Sequence, residues 1–380
     1  MRAWVLHDIG DIRLSEMAMP EPGQGEVLVR VHAVGICGSD IPRIYQTGAH
    51  QMPLIPGHEF AGEVVAVHDD DRTDWLGKRV GIFPLIPCME CEQCKRHHYE
   101  MCSHYNYLGS SCDGGFAEYV TVPEWNLIEL PDSVSYEEAA MLEPTAVAVH
   151  AMRRVKIEPG EKLAICGMGT IGMLLLNVLM RAESDRDPDM IRNAQIEDAR
   201  MNDKGLPAGI DKNDIYVIGN KDFQRGKALA LGLPEEHFCD SRREDPAGYL
   251  RKLGGVDVYY ECVGKQETVM LGMDSLKPLG RLCVVGNPYS DMVFEKNVYW
   301  KILRSQLTIT GSWNSSYDHV SSDDWHYVLR QLEAGRLSLK ELITHSLEFE
   351  ELETGLRIMR DKTEDYLKVM IRMEGKSGTE

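Results

Sequence analysis

Four cysteines, Cys88, Cys91, Cys94 and Cys102, follow the spacing C-x2-C-x2-C-x7-C within CMECEQCKRHHYEMC. Thiolates this close in sequence can wrap one ion tetrahedrally, and a shell of four has no room for substrate, so a zinc held here would be structural. Two disulfides or an iron–sulfur cluster are the alternatives, although the spacing differs from the bacterial ferredoxin run and no proline follows the last cysteine. A second set of candidates is scattered. Cys37 lies in GICGSD, and His58 and Glu59 lie in PGHEFAG. A thiolate and a neutral imidazole suit a zinc that keeps its fourth position open, yet by residue type alone the same pair are ordinary core residues. Glu143, between Leu142 and Pro144, is either paired or metal-bound inside an apolar stretch, or a solvent-facing acid before a proline.

A third pattern concerns phosphate. Gly167-x-Gly169-x-x-Gly172 stands between the apolar run LAIC and an apolar helix opened by Thr170 and Ile171. That is the context a dinucleotide fingerprint requires: glycines for a tight turn, close backbone approach to a pyrophosphate, and the positive end of a helix.

The elements that must position these residues change character along the chain. AWVLHDIGDIRL, EVLVRVHAVGIC, FAGEVVAVH and KRVGIFPLI alternate as half-buried strands of a β-rich, barrel-like first domain, with DDDRTDWLG a charged loop between the last two. SVSYEEAAMLEPTAVAVHAM reads as one helix with Ser135 as N-cap and Glu138 completing a capping box. From Lys162, strand and helix alternate. IYVIG, VDVYYECVG, RLCVVG and LTITGS are expected as buried parallel strands of a doubly wound sheet. Residues 182–213 interrupt that pattern with a charged surface insertion. Two amphipathic helices, the closing strand DYLKVMIRM and a disordered tail, EGKSGTE, follow.

The 380 residues exceed what one core usually organises. With 60 acidic against 41 basic residues the net charge is -19, which argues against nucleic-acid or anionic-membrane partners. Neither a basic, apolar leader nor an eighteen-residue apolar run occurs in the sequence, so a cytoplasmic protein with reduced thiols is expected.

Over essentially its whole length the chain resembles the zinc-containing medium-chain alcohol and polyol dehydrogenases. GICGSD, PGHEFAG, the cysteine lobe, DGGFAEYV, LEPTAVAVHA, GMGTIG and TITGSW occur in the family's order. The resemblance implies a Rossmann domain over 151–311 and a β-rich, GroES-like catalytic domain over 1–150 and 312–380 with a structural-zinc lobe. It implies two zinc ions per chain. Cys37, His58 and Glu143 fall on the catalytic ligand positions, and Glu59 on the acid able to bind or approach the metal. Glu143 replaces the cysteine of other alcohol dehydrogenases. Ser39 matches the hydroxyl that accepts the alcohol's proton. The histidine that continues the relay in many relatives is Pro42 here, so Ser39 is expected to pass its proton through water or Glu59.

The implied substrate is a polyol, a polyol phosphate or the matching ketose, with Arg43, Lys301 and Arg304 as candidate phosphate contacts, and the implied assembly is a homodimer or homotetramer. An amino-alcohol or threonine-type dehydrogenase is the nearest alternative. A non-catalytic NADPH-binding protein would be indicated by a missing ligand, and none is missing. In NAD-specific Rossmann domains an acid ends the second strand, whereas here IYVI leads into Gly219, Asn220 and Lys221. Lys221 and Arg225 can pair with a 2′-phosphate, so NADP is favoured over NAD.

Overall fold

A computed structural model describes residues 1–68, 73–182 and 210–373. Most of the predicted 182–213 insertion, part of the loop 69–77 and the tail 374–380 lie outside them. The chain forms two compact units, Met1–Ala146 with Ser315–Glu380, and Val147–Asn314.

In the first unit β1 (Arg2–Asp8) and β2 (Asp11–Glu16) form a hairpin. β3 (Glu26–Ile36), β4 (Glu59–Val67), β5 (Arg79–Ile82), the short pair β6 (Leu85–Ile86) and β7 (Asn106–Tyr107), β8 (Tyr119–Pro123) and β9 (Leu127–Glu129) follow. The predicted single helix is two, α1 (Tyr136–Ala140) and α2 (Leu142–Arg153). Pro144 explains the break. A proline ring inside a helix excludes the carbonyl four residues earlier, here that of Ala140, so the chain restarts at Met141, whose carbonyl accepts from Thr145 N–H at 3.1 Å. Ser135 does cap α1, accepting from Glu138 N–H at 3.3 Å, but the box is only half made: the Glu138 carboxylate accepts instead from the Ser135 hydroxyl (3.4 Å) and Leu339 N–H (3.3 Å).

The second unit carries β10 (Leu163–Cys166), α3 (Thr170–Ala182), β11 (Ile215–Gly219), α4 (Asp222–Ala230), β12 (Phe238–Asp240), α5 (Pro246–Lys252), β13 (Val256–Glu261), α6 (Gln266–Ser275), β14 (Leu276–Val284), α7 (Lys296–Arg304) and β15 (Thr308–Gly311). All six strands are parallel, in the order β12-β11-β10-β13-β14-β15. Counted from β10 this is 3-2-1-4-5-6, the doubly wound dinucleotide-binding order. Ala164, Cys166, Ile218, Tyr259 and Leu282 are buried in its core. β15 departs from expectation. It is parallel, but as the edge strand its Thr308, Ile309 and Gly311 are exposed rather than buried.

The first unit is completed by α8 (Asp324–Glu333), β16 (Ile343–Glu348), α9 (Leu352–Asp361) and β17 (Lys368–Arg372). Its large sheet runs β16-β17-β3-β4-β5-β9. β3 is the spine. One edge pairs with β4 along most of its length, and the other pairs first with β8 and then with β17. Val29, Val31, Phe60, Val64, Phe116 and Val369 fill the core beside it. Among the described residues no helix is long and apolar enough to cross a membrane.

Candidate active site

The end of β3 and the start of β4 bring the scattered candidates together. Gly35 pairs with Glu59 across the two strands, Cys37 follows two residues after Gly35, and His58 immediately precedes β4. Glycine is required at two positions here. A Cβ on Gly35 would stand 2.4 Å from Glu59 Oε2, and Gly57, at φ +92°, has a conformation other residues rarely adopt. Cys37, His58 and Glu59 can thus place one ligand atom each within 4.8 Å of one another. His58 is 3% exposed and Glu59 1%. Glu143, in the first turn of α2, is buried alongside but outside that tight set, accepting from Tyr107 Oη at 3.1 Å.

Two residues that the sequence reading missed organise this site. Asp40, 0% exposed, accepts from Cys37 N–H at 2.9 Å and from the Arg43 guanidinium at 2.6 Å, and its Oδ1 lies 3.4 Å from His58 Nδ1. That last contact is electrostatic rather than a well-aligned hydrogen bond, since Nδ1 satisfies no hydrogen-bond geometry. It still turns Nδ1 toward the carboxylate and leaves Nε2 for the cluster. Lys368, on β17, buries its ammonium against the Glu59 carboxylate and donates to Ile36 O at 3.2 Å. A signal existed for both. A metal-binding histidine wants a carboxylate partner, and GICGSD offers one; a lysine inside the apolar run YLKVMI is an inward position.

Electrostatics point to a cation. Burial pushes the Glu143 carboxyl up to about 7, Glu59 adds to this, and His58 and Lys368 oppose it. Burial works against charge on His58, yet Asp40 and Cys37 together hold its pKa well above the ordinary imidazole value. Among the described residues, a thiol, an imidazole and carboxylates converge here, and a divalent ion on Cys37, His58 and a carboxylate fits that donor set. Ser39 donates to Cys37 Sγ at 3.3 Å and borders a cavity of about 380 Å³ lined also by Pro42, Arg43, Thr47, His50 and Ser110.

All ten cysteines are free thiols. The Sγ atoms of Cys88, Cys91, Cys94 and Cys102 lie within 4.8 Å of one another, with separations of 4.0 Å (88–94), 3.5 Å (91–94) and 3.9 Å (91–102). Four sulfurs held ~2.3 Å from one ion in a tetrahedron stand about 3.8 Å apart, so the group fits zinc. Backbone N–H groups of Cys88, Cys91 and His104 point at these sulfurs at 3.3 to 3.4 Å.

In the second unit Gly167 has φ +98°, and a Cβ on Gly172 would stand 1.9 Å from Gly167 O, so α3 packs directly on the turn after β10. Gly169, Thr170 and Ile171 lie between, at the start of α3. Gly219 ends β11, followed by Asn220 and by Lys221 at the N-cap of α4. Arg225 is paired with Glu235, while Arg242 and Arg243 gather there on Asp222 and Asp240. Lys301 donates to Asp274 O, and the Arg304 guanidinium lies 4.2 Å over the Trp300 ring.

Comparison with known proteins decides the family. Residues 23–132 match the model for the alcohol dehydrogenase GroES-like domain, and 208–334 match that for zinc-binding dehydrogenases. Galactitol 1-phosphate 5-dehydrogenase of Escherichia coli (strain K12) is 30% identical over 94% of this chain and 96% of its own length. The chain belongs to the zinc-containing medium-chain dehydrogenases. Sorbitol dehydrogenase of Bacillus subtilis (strain 168) is 28% identical over 98% of this medium-chain dehydrogenase and 97% of its own length. The crystal structure of the Escherichia coli galactitol-1-phosphate dehydrogenase superposes with a TM-score of 0.81 at 30% identity, covering 98% of this chain and 100% of that one.

Proposed function

We propose that this enzyme catalyses reversible hydride transfer between a polyol or polyol phosphate, or the matching ketose, and a nicotinamide cofactor, with one catalytic and one structural zinc per chain. The observation that carries this is the buried convergence of a thiol, an imidazole and a carboxylate, Cys37, His58 and Glu59, with Glu143 beside them. The names of its relatives support the substrate class.

Bound zinc would supply a Lewis acid for the substrate oxygen, and the nicotinamide a hydride acceptor. Cys37, His58 and Glu143, with Glu59 as exchanging or additional ligand, would hold the metal, and Asp40 orients His58. The Ser39 hydroxyl takes the alcohol's proton. Pro42 carries none onward, so the proton leaves through water or Glu59. The cavity beside Ser39 receives the remaining hydroxyls, and its Arg43 suits an anionic terminus. Cys88, Cys91, Cys94 and Cys102 hold the structural ion.

For the cofactor we read NADP. β11 ends on Gly219 with no carboxylate of its own, and Lys221 and Arg225 are joined there by Arg242 and Arg243. Gly167, Gly169, Thr170, Ile171 and Gly172 would receive the pyrophosphate, and Gly219 and Asn220 the adenosine ribose. We place it in the cytoplasm as a homodimer or homotetramer; apolar side chains exposed in the second unit, Leu279, Leu303, Ile309 and Trp313 among them, support the assembly.

The test is turnover with a panel of polyols, polyol phosphates and amino alcohols, each with NAD and NADP, while light scattering reports the assembly. Turnover confined to amino alcohols overturns the substrate class. A strong preference for NAD overturns the cofactor reading.

A further inference from the structure

Glu261, the last residue of β13, is 0% exposed. Its carboxylate meets the N–H groups of Val263 (2.8 Å) and Gly264 (2.9 and 3.1 Å) and the hydroxyl of Thr268 (2.7 Å). Its carbonyl accepts from Val285 and Gly286 N–H, each at 2.9 Å. One residue therefore ties the turn after β13 to itself and to the turn after β14.

That turn lies against the fingerprint. Cys262 N–H donates to Cys166 O at 2.8 Å, and a Cβ on Gly167 would stand 2.5 Å from Val263 Cγ2. On the other side a Cβ on Gly286 would stand 2.3 Å from Gly264 N, and one on Gly264 1.8 Å from Asn287 O. The turns following β10, β13 and β14 are thus packed on one another at the carboxyl edge of the sheet, where parallel sheets receive dinucleotides. Burying a carboxylate is costly even when it is hydrogen-bonded, and an apolar side chain of similar size would serve packing as well. What the carboxylate alone supplies is two acceptor oxygens with no competing donor.

We propose that Glu261 is a positioning residue for the dinucleotide: it fixes turn 262–265 in the one arrangement in which Val263 braces Gly167, so that the fingerprint meets the pyrophosphate already ordered. The inference rests on the nicotinamide-dependent reading above. Preorganisation of this kind is felt in cofactor affinity, because an unbraced turn must be ordered on binding.

Glu261→Gln tests it, because the amide keeps the size and an oxygen for Oε1's partners but removes the charge and aims an NH2 donor at Gly264 N–H, from which Oε2 accepts at 3.1 Å. With the full chain and reduced dinucleotide followed by its fluorescence, Kd is expected to weaken about tenfold, the scale of one lost charge-assisted hydrogen bond. KM for the oxidised cofactor should rise by the same factor, with kcat at saturating cofactor and KM for the alcohol unchanged. A purely structural role would lower the unfolding midpoint and leave Kd of the folded fraction as in the wild type, and that result overturns the proposal. Should Glu261→Gln not fold, Thr268→Val removes a single donor and should weaken dinucleotide binding about threefold; an unchanged Kd there overturns it equally. A wild-type chain that binds no dinucleotide overturns the functional reading, and this one with it.

Discussion

Lys368 is buried against Glu59, 309 residues earlier in the chain, and the two side chains are 2% and 1% exposed. Glu59 neighbours His58, so the ammonium both neutralises a buried carboxylate and fixes where its second oxygen can reach. Removing one partner of such a pair leaves an uncompensated buried charge, at a cost of about 3–5 kcal/mol. Lys368→Met is therefore expected to lower the denaturation midpoint of metal-stripped protein sharply, and adding Glu59→Gln should recover most of the loss. Additive effects in that double-mutant cycle would refute the coupling.

Asp40→Asn tests the carboxylate beside His58. The amide leaves no charge to orient the imidazole, and partners of this kind are worth about 10- to 100-fold in metal affinity. Zinc titration against a chelator should show a loss of that size in one ion only, with the ion on the cysteine lobe retained as in the wild type.

Metal content separates the two groups directly. Cys37→Ser should bind one zinc and be inactive while keeping its fold. Cys94→Ser should also bind one, but with residues 88–105 opened to proteolysis, since the four convergent sulfurs are what an ion would cross-link there. Elemental analysis reading two ions in both variants would contradict the assignment.

Away from the metal groups, Glu118 links acid to stability. Partial burial disfavours its charge, but the Arg2 backbone N–H (2.7 Å) and guanidinium (2.8 Å) outweigh this and hold its pKa below the ordinary 4.5. A group whose folded pKa is depressed contributes fully above the unfolded value and loses that contribution as pH falls through the folded one. The pair is about one-third exposed, so its worth is at most about 1 kcal/mol. Glu118→Gln should reduce stability slightly at neutral pH and flatten its decline below pH 4.5, as measured by urea midpoints across that range.

Legibility followed the range over which each feature is determined. Spacing within fifteen residues marked the cysteine lobe, and a strand–glycine–helix sequence marked the Gly167 turn, because both are local. Cys37, His58 and Glu143 were joined only through resemblance, since the pairing of β3 with β4, not spacing, brings Cys37 to His58, and Glu143 comes in from a helix beside them. Pro144 was in plain view; its exclusion of the Ala140 carbonyl, which splits the helix, is the local rule the reading passed over. Lys368 and Asp40 were readable as a buried charge and a spare carboxylate, but the partner of Lys368 depends on β17 lying beside β3, and the approach of His58 to Asp40 on the pairing of β3 with β4. Glu261, an acid at the end of a run expected to be buried, carried the same kind of signal as Lys368, but its role is set by the turn that follows it.

The placement of β17 between β16 and β3 bears on how the protein is made. Val147–Asn314 is one unbroken stretch, able to collapse while the ribosome is still working, whereas the first unit lacks an interior strand, and the cation opposite Glu59, until residues 368–372 emerge. Nascent chains stalled before that point would hold Glu59 without its counter-charge and leave the Ala33–Ile36 end of one β3 edge bare. An exposed edge of that kind recruits strands from other chains, so premature release is expected to yield aggregates rather than a partly active enzyme.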